Sequence, residues 1–212
     1  MSSKTHRYES PSISVDYELK RCIHAEECIQ RLSAVFDRSS RRWIQPENAS
    51  ADAIAETIEH CPTGALRYTR KDDGAAEAKP AKNTIRLGVD GALYIRADLQ
   101  MRDEQYYRVA LCRCGASKNK PFCDNSHKDI HFTTNGLVDE AQRELHLIED
   151  GGTLTITPEA NGPYWVQGNF EIIDANGEVV YTSSEQWLCR CGGSANKPFC
   201  DSTHKKIGFQ AE

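Results

Sequence analysis

One stretch of sequence occurs twice in this chain and constrains its fold more than any other feature. Residues 112–127 read CRCGASKNKPFCDNSH, and residues 189–204 read CRCGGSANKPFCDSTH. Three cysteines and one histidine fall at identical spacings in both copies. Three thiolates and an imidazole are a complete ligand set for a soft metal ion or an iron–sulfur cluster. The sequence therefore predicts two equivalent metal or cluster sites.

Each copy begins with C-x-C and ends with a cysteine and a histidine four positions apart. On an extended segment, the two thiols of C-x-C point to the same side, because side chains alternate with a period of two. One helical turn would bring Cys123 and His127 to one face, with the same expectation for the second copy. Asp124 and Asp201 stand where a carboxylate can accept hydrogen bonds from amides at a helix start. Spacing alone leaves three interpretations open: an iron–sulfur cluster, a structural zinc ion, and reduced thiols without a metal.

The repeat extends upstream of the two motifs. Residues 91–96 (GALYIR) have a counterpart in residues 162–167 (GPYWVQ), and both read as strands after a glycine turn. Short strands are predicted at Thr84–Leu87, Leu93–Ala97, Tyr106–Leu111, Thr153–Thr157, Tyr164–Gly168, Phe170–Asp174 and Trp187–Leu188. Neither half alone can bury much core, so we expect mutual packing and the metal sites to stabilise both.

The repeated stretch closely resembles the CDGSH-type iron–sulfur domain, the mitoNEET family, whose pattern is C-x-C-x2-(S/T)-x3-P-x-C-D-G-(S/A/T)-H. Beyond the ligands, both copies match its serine, proline and aspartate: Ser117 and Ser194, Pro121 and Pro198, Asp124 and Asp201. The resemblance implies a 2Fe–2S cluster in each copy, held by three cysteines and one histidine. These ligands would be Cys112, Cys114, Cys123 and His127 in the first copy, and Cys189, Cys191, Cys200 and His204 in the second.

The resemblance also implies how the two copies are arranged. Family members pair two such motifs, usually as a homodimer, so two motifs in one chain imply a pseudo-twofold pair built internally. This sequence departs from the family pattern at its glycine, which is replaced by Asn125 and Ser202. Asparagine tolerates a left-handed backbone better than serine does, so altered local geometry is expected mainly at the second copy.

Three further cysteines, Cys22, Cys28 and Cys61, precede the repeat. An odd total of nine cannot pair entirely as disulfides, and clustered cysteines in a reducing compartment are more often metal ligands. Alternating apolar residues predict a strand from Ile13 to Leu19, which we expect to pair with a second strand at Ala65–Thr69. Between them, a helix is predicted from its N-cap Ser50 to about His60, bringing Cys61 to the apolar face. Residues 1 to about 12 are predicted to be disordered.

Residues 13–70 resemble the divergent mono-cluster ferredoxin domain found in some CDGSH proteins, through CIHAEEC at residues 22–28 and CPTGAL at residues 61–66. Four-iron ferredoxins place another ligand midway between the first two cysteines, where this chain has Ala25. Three cysteines would suit a 3Fe–4S cluster, or a 4Fe–4S cluster with a non-cysteine ligand such as His24. The alternative is a ferredoxin-like domain without a cluster.

The predicted fold class is α+β: a ferredoxin-like α/β domain followed by two pseudo-twofold-related, mainly β CDGSH modules. The predicted boundaries are residues 13–70 for the first domain, 71–83 for a linker, and 84–135 and 150–210 for the two modules.

Composition limits the function further. The net charge of −5 argues against a surface that binds nucleic acid. No apolar run approaches the roughly 18–20 residues of a membrane span, and the polar start predicts a soluble, cytoplasmic protein. We find neither a nucleotide-binding glycine motif nor an activated nucleophile, so no enzymatic activity is expected. The sequence thus predicts an iron–sulfur protein for electron transfer or cluster transfer, with a redox partner or an apo-acceptor protein. The alternatives are a zinc-binding interaction module and a component of a redox enzyme.

Overall fold

A computed structural model describes residues 5–212, which form two compact units that divide between Ala78 and Lys79. The first unit combines strands and helices in similar amounts, and the second is mostly strand with short helices, so the fold is mixed α+β. The division falls inside the segment predicted as a linker. Among the described residues, no helix is both long and apolar enough to cross a membrane.

The first unit is a three-stranded antiparallel sheet with helices packed beside it. Its elements are β1 Thr5–Glu9, β2 Ile13–Glu18, α1 Glu27–Arg31, α2 Ala51–Glu59 and β3 Leu66–Arg70. Strand β2 is central and pairs with β1 and β3. Its buried side chains pack with those of α2, including Ile54 and Ile58, as the two hydrophobic periodicities predict. The Ser50 hydroxyl accepts a hydrogen bond from the Ala53 amide at 3.3 Å and so caps α2 as predicted.

The prediction of disorder before about residue 12 is wrong for residues 5–9, whereas residues 1–4 lie outside the described part of the chain. Strand β1 pairs with β2 along its whole length. The Arg7 guanidinium donates two hydrogen bonds to the Asp16 carboxylate, at 2.7 and 2.9 Å. The Tyr8 ring lies edge-on to Trp43 with 6.5 Å between centroids. A polar strand is held here by tertiary contacts that its own composition does not reveal.

The second unit contains both copies of the repeated motif. Its elements are β4 Thr84–Leu87, β5 Leu93–Met101, β6 Glu104–Leu111, α3 Ser126–Asp129, β7 Leu154–Pro158, β8 Tyr164–Ile173, β9 Val179–Leu188 and α4 Thr203–Lys206. The predicted strand positions are occupied, although several strands are longer than predicted.

The strands of the two halves pair reciprocally. Strand β4 pairs antiparallel with β5 of its own half and parallel with β8 of the other half. Strand β7 pairs antiparallel with β8 and parallel with β5. Strands β6 and β9 pair antiparallel with β5 and β8. Each half therefore contributes a strand to the other, and one apolar core underlies both.

The two strands predicted at Tyr164–Gly168 and Phe170–Asp174 are a single strand, β8, with a break in register between Gln167 and Phe170. Gly168 has a φ of +101°, and a Cβ there would lie 2.4 Å from the carbonyl oxygen of Thr153. The glycine thus marks a β-bulge rather than the end of a strand. Strand β9 begins at Val179, well before the predicted Trp187. The prediction missed its first part because the middle of the strand is polar and exposed and lacks a hydrophobic alternation.

Candidate metal centres

In both copies of the motif, the four predicted ligands come together as two pairs. The sulfur atoms of Cys112 and Cys114 lie 3.7 Å apart, and the Cys123 sulfur lies 3.5 Å from Nδ1 of His127. The corresponding distances in the second copy are 3.9 and 3.5 Å. Around a tetrahedral metal with bonds of about 2.3 Å to sulfur and about 2.1 Å to nitrogen, neighbouring ligand atoms lie about 3.6–3.8 Å apart. Each pair therefore has the spacing of two ligands on one metal atom.

The four ligands of a copy do not converge on one point. Within residues 5–212, no three His, Cys, Asp or Glu side chains lie close enough together to hold a single metal ion. Each copy therefore has two separate pairs of predicted ligands, one pair from each end of the motif.

The end of a strand positions both ends of each motif. The Cys112 amide, just after β6, donates a hydrogen bond to the Pro121 carbonyl at 2.9 Å, and the Cys123 amide donates to the Ala110 carbonyl at 2.8 Å. The equivalent bonds after β9 measure 2.8 and 2.9 Å. The loop is thus folded back onto the strand from which it leaves, which brings the third cysteine beside the first two.

The prediction that one helical turn spans Cys123 and His127 is wrong in its details, because α3 begins only at Ser126. The preceding Asn125 is left-handed with a φ of 71°, and Ser202 in the second copy has a φ of 66°. A left-handed residue followed by half a turn of helix therefore brings the imidazole back to the thiol. A non-glycine residue adopts this conformation at an energetic cost, so the backbone at this position favours the glycine of the CDGSH pattern.

The aspartate after the third cysteine organises this turn, as predicted. Oδ1 of Asp124 accepts hydrogen bonds from the amide and the hydroxyl of Ser126, and Oδ2 accepts one from the Lys118 amide at 2.8 Å. Asp201 accepts equivalent bonds from the amides of Thr203 and Ala195. The hydrogen bonds from Thr203 lower the pKa of Asp201 to about 2, although burial opposes the shift.

The cysteine environments differ in their effect on ionisation. A hydrogen bond between the thiols of Cys112 and Cys114 lowers the pKa of Cys112 to about 6 and raises that of Cys114. Burial raises the pKa of Cys123 and of Cys189 to about 11. Burial also lowers the pKa of His127. Backbone amides point at sulfur atoms in both copies: for example, those of Ala116, Gly193 and Ser202 donate to Cys114, Cys191 and Cys200 at 3.4–3.5 Å. Such donors favour a negatively charged sulfur.

The two motifs pack directly against each other through a pair of glycines. A Cβ on Gly115 would lie 2.4 Å from the carbonyl oxygen of Cys191, and a Cβ on Gly192 would lie 2.5 Å from that of Cys114. Both glycines have a φ of +81°. Only a residue without a side chain allows this close and reciprocal approach.

Sequence reasoning did not identify the role of the arginine inside each C-R-C. Arg113 and Arg190 are buried and donate to backbone carbonyls of the turns before β5 and β8: Arg113 to Gly88 and Gly91, Arg190 to Glu159. Burial lowers the pKa of Arg113 to about 10, and its charge is attracted to Cys189 of the other copy. The available signal in the sequence was that both copies have an arginine between their first two cysteines.

A tyrosine also connects the halves. Tyr164, on β8 of the second half, is fully buried and donates from its hydroxyl to the carbonyls of Cys112 and Pro121, at 2.7 and 3.0 Å. No motif in the sequence pointed to it.

In the first unit, Cys22, Cys28 and Cys61 all line one cavity of about 30 Å³. A neighbouring cavity of about 340 Å³ shares Cys22 and Cys28 and is lined also by His24. Burial, followed by the negative charges of Cys61 and Cys22, raises the pKa of Cys28 to about 11. Nδ1 of His24 lies 3.8 Å from the Cys22 sulfur. The structure thus brings the three predicted cysteines together, and His24 beside one of them.

Comparison with known proteins identifies two domain types. A family model described as the iron-binding zinc finger of CDGSH type matches residues 87–128 and again residues 161–205. A second model, described as a divergent 4Fe-4S mono-cluster, matches residues 8–71. Two proteins of Escherichia coli, from strain K12 and from O157:H7, are each called uncharacterized protein YjdI. Each is 28% identical to this chain over 64 residues, which is 30% of this chain and 84% of the relative. The matched stretches contain all the predicted ligands.

Proposed function

Because this chain is an iron–sulfur protein with two CDGSH-type domains and an N-terminal divergent 4Fe-4S mono-cluster domain, we propose that it is a carrier of electrons or of clusters. Two 2Fe–2S clusters are its main cofactors, each held by three cysteines and one histidine. The first is held by Cys112, Cys114, Cys123 and His127, and the second by Cys189, Cys191, Cys200 and His204.

The observation that carries this proposal is the two-by-two arrangement of ligands. A binuclear cluster with four protein ligands needs two of them on each metal atom. The sulfur–sulfur and sulfur–nitrogen separations of 3.5–3.9 Å suit that need in both motifs. A single structural zinc ion would instead require all four ligands around one centre.

A bound 2Fe–2S cluster supplies one reversible electron and a unit of iron and sulfide that another protein can take up. The chain supplies the environment. Amide donors to Cys114, Cys191 and Cys200 stabilise ligated sulfur. The buried positive charge of Arg113 is attracted to Cys189 and partly compensates the negative charge of that thiolate. The two histidines ligate in their neutral form, so each is also a point at which protons compete with iron.

The two CDGSH modules, residues 84–135 and 150–210, form a pseudo-twofold pair within one chain. The reciprocal strand exchange of β4 and β7 supports this, as do the mutual contacts of Gly115 and Gly192. Neither module would be complete without the other, since each holds a strand of its neighbour.

The N-terminal domain, residues 13–70, is ferredoxin-like and holds a third cluster, of 3Fe–4S or 4Fe–4S type. Its ligands are Cys22, Cys28 and Cys61. The support is that all three line one small cavity and that the first two also line the larger neighbouring cavity of about 340 Å³. The partner is a redox protein or an apo-acceptor protein, and the chain is a carrier rather than an enzyme. The nine cysteines form no disulfide, which favours a reducing compartment such as the cytoplasm.

The test is a count of iron, acid-labile sulfide and zinc in the full chain purified without oxygen, together with its visible spectrum. Two 2Fe–2S clusters and one 3Fe–4S cluster predict about seven irons and eight sulfides per chain. About four of each would restrict the proposal to the two CDGSH sites. Zinc without sulfide would overturn it.

A further inference from the structure

The two CDGSH sites are alike in sequence but differ in their surroundings. We infer that they have different roles: the second site gives its cluster to an acceptor protein, and the first retains its cluster. This inference rests on the proposed function and assigns the exchange to one of its two sites.

Solvent exposure differs between the two ligand sets. In the first site, all four ligands are buried, with Cys112 2% exposed, Cys123 3% exposed and His127 9% exposed. In the second site, only Cys189 is buried, and the other three ligands are half-buried. Ligand exchange needs an incoming thiolate to reach the metal, so the half-buried site is the accessible one.

A cavity of about 500 Å³ lies beside the second site. Cys200 and His204 line it, together with Trp187, Ser202 and Gly162. It therefore reaches the histidine end of the site, whose ligand set contains the one nitrogen donor. An acceptor's cysteine entering this cavity meets the pair formed by the third cysteine and the histidine.

The wall of that cavity is specific to the second copy. Its Trp187 accepts, through its carbonyl, the hydrogen bond from the Cys200 amide, a position that Ala110 occupies in the first copy. Trp187 is 40% exposed and stacks on Trp165 with 5.2 Å between centroids and 3° between planes. Trp165 is fixed in turn by a hydrogen bond to Glu185 at 2.7 Å. The second site thus has a rigid, accessible aromatic wall where the first has a buried methyl group.

The backbone beside the histidine also differs between the two copies. Both copies require a left-handed residue before the final helical turn. The first copy uses Asn125, which adopts this conformation readily, and the second uses Ser202, which does so at greater cost. Ser126 of the first copy is buried, whereas the equivalent Thr203 is half-buried. The turn that holds the second histidine is therefore more strained and more exposed.

The exchange itself transfers no electron. Three iron–sulfur bonds and one iron–nitrogen bond to the second site break, and four bonds form to four cysteine thiolates of the acceptor. The acceptor thiols release four protons. The three vacated thiolates take up three of them, the imidazole remains neutral, and one proton passes to solvent.

The experiment measures transfer from the fully loaded chain to the apo form of a plant-type 2Fe–2S ferredoxin, followed by visible circular dichroism. Two matched variants, His127→Cys and His204→Cys, replace the nitrogen ligand of one site with a thiolate. We expect two phases in the natural protein, with the faster at least about tenfold faster than the slower, a ratio equivalent to about 1.4 kcal/mol in barrier height. His204→Cys should slow the fast phase, and His127→Cys should slow the slow phase.

A single phase, or a fast phase that responds to His127→Cys and not to His204→Cys, would overturn the inference. Iron counts after transfer provide a second readout, and loss of about two irons per chain during the fast phase is expected. A purified chain without acid-labile sulfide would overturn the proposed function itself, which separates that failure from this one.

Discussion

Replacing Gly115 with alanine should destabilise both CDGSH sites, although the substitution lies in one of them. The new Cβ would lie 2.4 Å from the carbonyl oxygen of Cys191, where ordinary contact begins near 3.4 Å. The atom it meets belongs to the backbone of the other motif and cannot rotate away. The reciprocal change, Gly192→Ala, meets the carbonyl of Cys114 at 2.5 Å and should have the same effect.

Three terms set the magnitude. An L-residue at a φ of +81° costs about 1–2 kcal/mol. Forcing the two loops apart costs about 1–3 kcal/mol more, as overpacking does in a closely packed interior. The alanine also restricts the unfolded chain, which returns about 0.4–1 kcal/mol. The net loss is therefore about 1–5 kcal/mol, a large part of the 5–15 kcal/mol typical of a folded domain.

The assay is urea unfolding of the full chain, with iron and sulfide counted on the same samples. Gly177→Ala is the matched control, because Gly177 has a φ of +86° and no atom within 4 Å of a Cβ built on it. The control has the backbone strain of an L-residue at positive φ but no close contact. Its free energy of unfolding should therefore fall by about 1 kcal/mol, and it should keep both 2Fe–2S clusters. If Gly115→Ala is no less stable than Gly177→Ala, or loses cluster at its own site only, the reciprocal contact does not link the sites.

Three further expectations address individual side chains. Exchange of His127 or His204 for cysteine should delay acid bleaching at that site, because ligation needs a neutral imidazole. Burial lowers the pKa of His127, so its imidazole is neutral above the ordinary value of about 6.5 and becomes protonated only as the pH falls through the lowered value. Visible absorbance measured against pH tests this, and bleaching at an unchanged pH contradicts it. Cys22→Ser should remove about three or four irons per chain and leave about four, by elemental analysis; an unchanged count would mean that the N-terminal domain holds no cluster. Tyr164→Phe removes the donor to two carbonyls and should lower the free energy of unfolding by about 1–3 kcal/mol in urea, a loss that an unshifted curve would refute.

Local patterns predicted much of the architecture. The alternation that begins at Ile13 corresponds to β2, and Ser50 caps α2 as its hydroxyl and position suggest. The ligand pairs come together because they are encoded within one short loop, in which spacing nearly determines proximity. The CDGSH pattern then supplied the type of cofactor, which spacing had left open.

The features that the sequence did not predict depend on contacts between distant segments. Strand β1 is polar and is ordered by pairing with β2 and by the ion pair of Arg7 and Asp16. The bulge at Gly168 looks like a strand end, since a glycine with a positive φ serves either purpose. Tyr164 reaches the first motif from the second half, over 50 residues away along the chain, and no local signal records such a hydrogen bond.

Because β4 pairs with β8 and β7 pairs with β5, the two halves are held together by non-covalent contacts and do not depend on the chain that connects them. Each half is tied to the other by backbone ladders and a common core, and the segment at the fully exposed Leu147 is a covalent bridge between them. A chain cut in that bridge and expressed as two pieces should therefore reassemble as a heterodimer, with one fragment completing the sheet of the other. By the same reasoning, we expect a chain with the two halves in exchanged order to form the same sheet, because the pairing of strand edges specifies their assembly.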